Sequence, residues 1–292
     1  MARVTVVSGS GRFADPWHPL AETSARVADV LRGAGHEVTV TDDVDGTLAA
    51  FGTRAGRAGT GKADAEGAEA GRAGAGKADA EGAEARRAGA EGAGARRTET
   101  HGVRADAPDL LVLNVGAGRM PEERAVVESS DARQAGEGGP SGRDTHTDAA
   151  TRAGLLAYVD GGRPLLALHV SSTSFGFVPE WEQVLGGIWV RGTSMHPPYS
   201  RARIGVATDA HAITRGVHDF ELDDERYSHL RVSPAARQLA WHDLDSVRNP
   251  VLWTHGYGDA RIVYDALGHD SASYDSAAHR AILAQAAEWL LG

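Results

Sequence analysis

Apolar residues come in short runs broken by glycine, proline and charge, and the runs alternate between two periods. Arg3–Ser8 (RVTVVS) is a run ending in Ser and Gly, the pattern of a buried strand. It is followed by Leu20–Arg32, where Leu20, Val27, Val30 and Leu31 fall at helical spacing. Gly33–Gly35 stops that helix, His36–Thr41 (HEVTVT) reads as a second strand, and Asp109–Asn114 (DLLVLN) as a third. A helix over Thr151–Asp160 closed by Gly161-Gly162 then leads into Pro164–Leu168, whose unbroken apolar run predicts a strand covered on both faces. Arg203–Ala207, Pro250–Thr254 and Arg261–Ala266 are further strands. Between the last two, HGYGD carries Gly256 and Gly258 and predicts a hairpin turn. Ser276–Leu291 ends the chain as an amphipathic helix. Strands alternating with helices predict an α/β fold with a parallel sheet and an antiparallel hairpin extension.

One segment breaks the pattern. Residues 56–70 (GRAGTGKADAEGAEA) recur at 71–85 with a single change, Thr60 against Ala75, and from Gly52 to Gly102 no Val, Ile, Leu, Met, Phe, Tyr or Trp occurs. A segment without apolar side chains cannot bury enough area to offset its ordering entropy, so 52–103 reads as a low-complexity, disordered insertion. Residues 119–148 are a second polar stretch, read as a surface excursion. What remains of the 292 residues is expected to form a single domain.

The formal charge of −10 argues against nucleic acid and against an anionic membrane surface as partners. No apolar stretch approaches the roughly 18 residues of a membrane span, and a cytoplasmic location is expected. Cysteine is absent, which excludes disulfides, thiolate metal sites and cysteine nucleophiles.

In open α/β sheets ligands bind beyond the carboxyl ends of the strands. The segments there supply His18 after the first strand, Asn114 after the third, His169, Ser171 and Ser172 after Pro164–Leu168, and His269 after Arg261–Ala266. His196 sits beside two prolines. Asp223-Asp224-Glu225-Arg226-Tyr227 puts paired carboxylates, a cation and a phenol side by side, a composition suited to acid–base work. The expected catalytic set is His169, His269, Glu225 and Asp224. His18, Asn114, Ser171, Ser172, His196 and Tyr227 are the expected substrate-binding residues. His18, His169, His196 and His269 are the candidate ligands should a divalent metal such as Zn²⁺ be used; no short-range metal motif occurs, so such a site must be assembled from distant segments. His36, His101, His146 and His279 read as structural.

These stretches resemble the ThuA-like (trehalose utilisation) family. The resemblance rests on RVTVVSG with His18-Pro19, GGRPLLALHVSSTSF, HAITRGV (His211–Val217), DDERY (Asp223–Tyr227) and PVLWTHGYGDARIVYDALGHD (Pro250–Asp270), and covers residues 1–51 and roughly 104–292. Ala212 and Arg226 depart from the family pattern. The resemblance implies a three-layer, flavodoxin-like sheet similar to class I glutamine amidotransferases, and a link to trehalose or a related keto-glycoside. In the amidotransferase relatives a cysteine occupies the sharp turn after a central strand. Here the corresponding stretch is Leu168-His169-Val170-Ser171-Ser172, so thioester chemistry is excluded. The expected partner is a small-molecule carbohydrate, with homo-oligomerisation left open. Two functions compete: a carbohydrate-processing enzyme of hydrolase or isomerase type, and a non-catalytic sugar-binding or regulatory domain using Trp17, Trp189, Tyr199 and Trp253 as stacking surfaces.

Overall fold

The computed structural model describes residues 1–52, 107–117 and 145–292. The repeat insertion beyond Gly52 and positions 119–144 of the second polar stretch lie outside the described residues.

Nine strands form one sheet. On one side run β1 (Arg3–Ser8), β2 (Glu37–Thr41), β3 (Leu110–Asn114), β4 (Leu165–Leu168) and β11 (Ala260–Asp265), in the order β2-β1-β3-β4-β11 and all parallel. β3 and β4 carry the nearly continuous apolar sequences that two covered faces require: LLVLN and LLAL are buried at every position. The helix α1 (Leu20–Gly33) links β1 to β2, and α2 (Val44–Gly52) follows β2 on the way back past β1 to β3. Right-handed crossovers in opposite directions place those two helices on opposite faces. α3 (Thr145–Asp160) packs with α2, and α5 (Ala277–Leu291) with α1, which completes three layers. Gly154 is needed at the α2–α3 crossing, because a Cβ there would fall 1.8 Å from the Leu48 carbonyl oxygen. The short helix α4 (Trp181–Leu185) follows β4.

The sheet continues from β11 through antiparallel β10 (Val247–Tyr257), β9 (Arg237–Leu244), β6 (Ser200–Val206) and β7 (Phe220–Asp224). The extension is therefore four strands wide rather than a single hairpin. The β10–β11 turn is at Gly258-Asp259, with Gly258 at φ +55°, as the HGYGD sequence predicts. A separate two-stranded sheet pairs β5 (Gly187–Ile188) with β8 (Arg231–Val232). The second predicted helix begins at Thr145, not Thr151, so residues 145–148 of the expected surface excursion are helical. The expected Pro250–Thr254 strand extends to Val247 and Tyr257. Sequence reading missed α2, α4, β5 and β8, and also β7 and β9. The latter two carry acidic and polar residues on their open faces, which hides the alternation of buried positions.

Candidate functional site

Four segments meet beyond the carboxyl ends of β1, β4, β7 and β11. His169 is the first residue after β4, and there the backbone turns into the left-handed region at φ +38°, an uncommon conformation for a side chain of this size. Its ring Nδ1 lies 2.6 Å from the Ala266 carbonyl oxygen, one residue past the neighbouring strand β11. A carbonyl only accepts, so Nδ1 carries the proton and Nε2 of the neutral ring presents a lone pair. Burial holds the His169 pKa below its ordinary value, which keeps that ring neutral.

His18 lies in the loop after β1, bracketed by Pro16 and Pro19. Its Nδ1 is 2.9 Å from Asp15 Oδ1, and its Nε2 is 3.1 Å from His169 Nε2. Burial opposes protonation of His18, yet Asp15 and Glu225 outweigh it and push the pKa up to about 9. Glu225 Oε2 completes the group, at 3.6 Å from His18 Nε2, 3.5 Å from His169 Nε2 and 3.2 Å from His269 Nδ1. Burial raises the Glu225 carboxyl, but its interactions with His169, His18 and His269 prevail and hold it well below the usual carboxylate range.

One potential ligand atom from each of His18, His169, His269 and Glu225 lies within 4.8 Å of the other three. The donor chemistry fits a divalent cation. The Nε2 atoms of His18 and His169 face each other, which demands a shared proton or a cation between them. Glu225 Oε2 and His269 Nδ1 are buried, and neither makes an aligned hydrogen bond. Asp15 behind His18 and the Ala266 carbonyl behind His169 are the outer partners that orient metal-bound imidazoles. Three imidazoles and one carboxylate suit Zn²⁺ or a similar borderline ion.

A cavity of about 360 Å³ opens over this cluster, lined among others by Trp17, His18, Trp189, His196, Glu225 and Tyr227. His196 stands at its side, Nε2 3.6 Å from Glu225 Oε1, with Nδ1 3.1 Å from the Pro197 carbonyl oxygen. Tyr227 stacks on His169 with centroids 4.3 Å apart, and burial raises its pKa, so the phenol keeps its proton.

The other expected site residues are placed elsewhere. Asp224 is fully buried and turned away from the cavity, its oxygens taken by main-chain N–H groups and Ser273. Asn114 donates to the Leu20 carbonyl, Thr23 Oγ1 and Ser24 Oγ, anchoring the start of α1. Ser171 donates to the Leu113 carbonyl, and Ser172 lies between Tyr264 and the His169 carbonyl; neither lines the cavity. The 3₁₀ turn after His169 directs both hydroxyls back into the core. Of the aromatic residues, Trp17 and Trp189 line the cavity. Trp253 is wholly buried, its Nε1 donating to the Leu185 carbonyl, and Tyr199 packs beside His269. Asp15 was missed, although an acid three residues before a loop histidine was a readable signal.

No curated protein matches the sequence. Among solved structures, a ThuA-like protein from Parabacteroides merdae aligns with a TM-score of 0.60 at 15% identity, over 99% of this chain and 90% of that one. A ThuA-like protein from Bacteroides uniformis gives 0.57 at 10% identity, over 99% and 91%. A cytoplasmic protein from Salmonella typhimurium gives 0.53 at 9%, over 99% of each chain. At such identities these likenesses show the fold. No helix among the described residues is long and apolar enough to cross a membrane. The model of the trehalose-utilisation family ThuA matches residues 129–290, more than half of the sequence, and the chain belongs to that family.

Proposed function

We propose that the protein is a metal-assisted enzyme of carbohydrate metabolism, in which His18, His169, His269 and Glu225 hold a divalent ion beneath the cavity. The convergence of these four groups within 4.8 Å carries the reading. A bound ion of this kind acts as a Lewis acid toward a carbonyl or hydroxyl oxygen. The protein's own groups supply the rest. His196, partly exposed and facing Glu225 Oε1, is placed to take or give a proton at the cavity side. Tyr227, protonated and aimed at the same space, is a hydrogen-bond donor for a substrate oxygen. Trp17 and Trp189 offer apolar faces to a sugar ring. Family membership supports a disaccharide or a keto-glycoside as substrate. Thioester chemistry remains excluded by the lack of cysteine.

Elemental analysis of the purified protein tests the reading. It should contain about one transition-metal ion per chain, lost in His169→Ala and His269→Ala. Turnover of a keto-disaccharide should fall in His269→Ala by at least the roughly 10²–10⁴ typical of losing an acid–base group. A protein that binds no divalent ion defeats the metal assignment. The second reading, a sugar-binding domain without turnover, is favoured by one observation, the 61% exposure of Trp17 at the cavity rim. Sugar binding that survives metal removal, with no turnover in the loaded protein, would establish it.

A further inference from the structure

Behind the cluster a buried chain of polar side chains runs from the ligand-bearing loops to the C-terminal helix. Asp224 ends β7, and its two carboxylate oxygens receive four donors. Oδ1 accepts from the N–H of Glu225 at 2.8 Å and the N–H of His269 at 3.0 Å. Oδ2 accepts from the N–H of Gly268 at 2.8 Å and the hydroxyl of Ser273 at 2.7 Å. Ser273 has one proton, and Asp224 takes it, so the Ser273 oxygen is free only to accept. His279 Nδ1 lies 3.0 Å from that oxygen and 3.1 Å from the Ser273 carbonyl, and donates to both. His279 Nε2 is 3.0 Å from Asp265 Oδ2, so both ring nitrogens face acceptors and the ring is an imidazolium. Asp265 Oδ1 in turn accepts from the Leu267 N–H at 3.0 Å, in the segment leading to His269.

Every proton in this chain has a place, and all four side chains are buried to within about 1%. Burying two carboxylates and an imidazolium is costly, and apolar residues would pack a helix on a sheet more cheaply. The geometry shows what the arrangement does instead. A single oxygen, Asp224 Oδ1, ties together the main chains of Glu225 and His269, which follow the edge strand β7 and the central strand β11 and whose side chains meet at 3.2 Å.

We infer that Asp224, Ser273, His279 and Asp265 form a positioning relay, anchored on α5, that fixes Glu225 and His269 as a pair against the cavity. What the pair holds rests on the proposed function; that the relay holds the pair does not.

Cobalt(II) titration and ¹⁵N NMR of the histidine rings and backbone amides separate the two. In Ser273→Ala the affinity for Co²⁺ should fall, by no more than the about 10–100-fold that losing a direct outer partner of a metal ligand costs, and the visible Co²⁺ band should change in position or intensity. Ser273→Thr, which keeps the hydroxyl, should restore both. In the metal-free protein the His269 ring signals and the Glu225 and His269 amides should shift in Ser273→Ala. In the unsubstituted protein the amides of Glu225, Gly268 and His269 should resist deuterium exchange as long as those of β4. Failure of the unsubstituted protein to bind Co²⁺ defeats the metal assignment, and the NMR and exchange arms then decide the relay. Unchanged Co²⁺ affinity and His269 signals in folded Ser273→Ala overturn it, as do freely exchanging amides in the unsubstituted protein.

Discussion

Removing any bound ion should leave a protein whose stability falls as pH rises through 9, and His18 sets the size of the effect. Its ordinary pKa is 6.5 and in the folded chain it reaches about 9, because Asp15 and Glu225 stand against a ring that is 9% exposed. A shift of that size corresponds to about 3 kcal/mol at 1.36 kcal/mol per pKa unit. The sign follows from linkage. The folded state binds the proton more tightly, so the stabilisation is fully present below pH 6.5 and disappears as pH passes 9. On the acid side Glu225 and Asp15, whose folded pKa values are depressed, contribute stability that is lost as pH falls below the ordinary carboxylate range. For a domain of this size about 3 kcal/mol amounts to roughly 6–12 °C in Tm. Thermal denaturation of chelator-treated protein at pH 6, 7.5 and 10 measures it, with His18→Gln as the control that should flatten the slope. Equal melting temperatures at pH 6 and 10, or an unchanged slope in His18→Gln, would refute the reasoning.

Two further outcomes distinguish site from scaffold. Ser172→Ala should lower stability by about 1 kcal/mol, the worth of its bond with Tyr264, and leave metal content and turnover within a few-fold of normal. Inactivation by that change alone would point to a serine nucleophile. Asn114→Ala removes the two amide protons shared by three buried acceptors at the start of α1 and should cost about 1–3 kcal/mol in urea denaturation without altering metal affinity. A loss of metal binding at unchanged stability would return Asn114 to the site.

The parallel half of the sheet was legible because β3 and β4 are nearly unbroken apolar runs and α1 and α3 end at clear glycine stops. Those strand ends in turn located His18, His169 and His269. The ring of His169 and the carbonyl of Ala266 meet because β4 and β11 are adjacent, with Leu168 opposite Asp265. The acidic motif was legible only as a motif. Which of its carboxylates faces the cavity depends on β7, where Leu222 and Asp224 are buried and Asp223 is exposed, and that alternation was invisible in a run as polar as FELDD. Asp224 therefore went to the site on composition and proved to lie behind it. Ser171 and Ser172 failed for a related reason, since the direction of a hydroxyl after a strand is set by the turn that follows. His279 reads as structural in the sequence and is buried, but its link through Ser273 to Asp224 spans contacts that no local pattern encodes.

The loop that carries His18 differs in kind from the other ligand-bearing segments. His169 and His269 leave hydrogen-bonded neighbouring strands, and Glu225 is tied by Asp224, so these three form the stiff wall of the pocket. His18 sits on a loop whose tip, Trp17, projects into solvent and which is held by Pro16 and Pro19, by the Trp17 N–H on Asp15 and by Asp15 against the His18 ring. An ion seated among the four groups would take three ligands from strand-anchored segments and one from a loop. Its release would then depend most on the Asp-Pro-Trp-His-Pro segment.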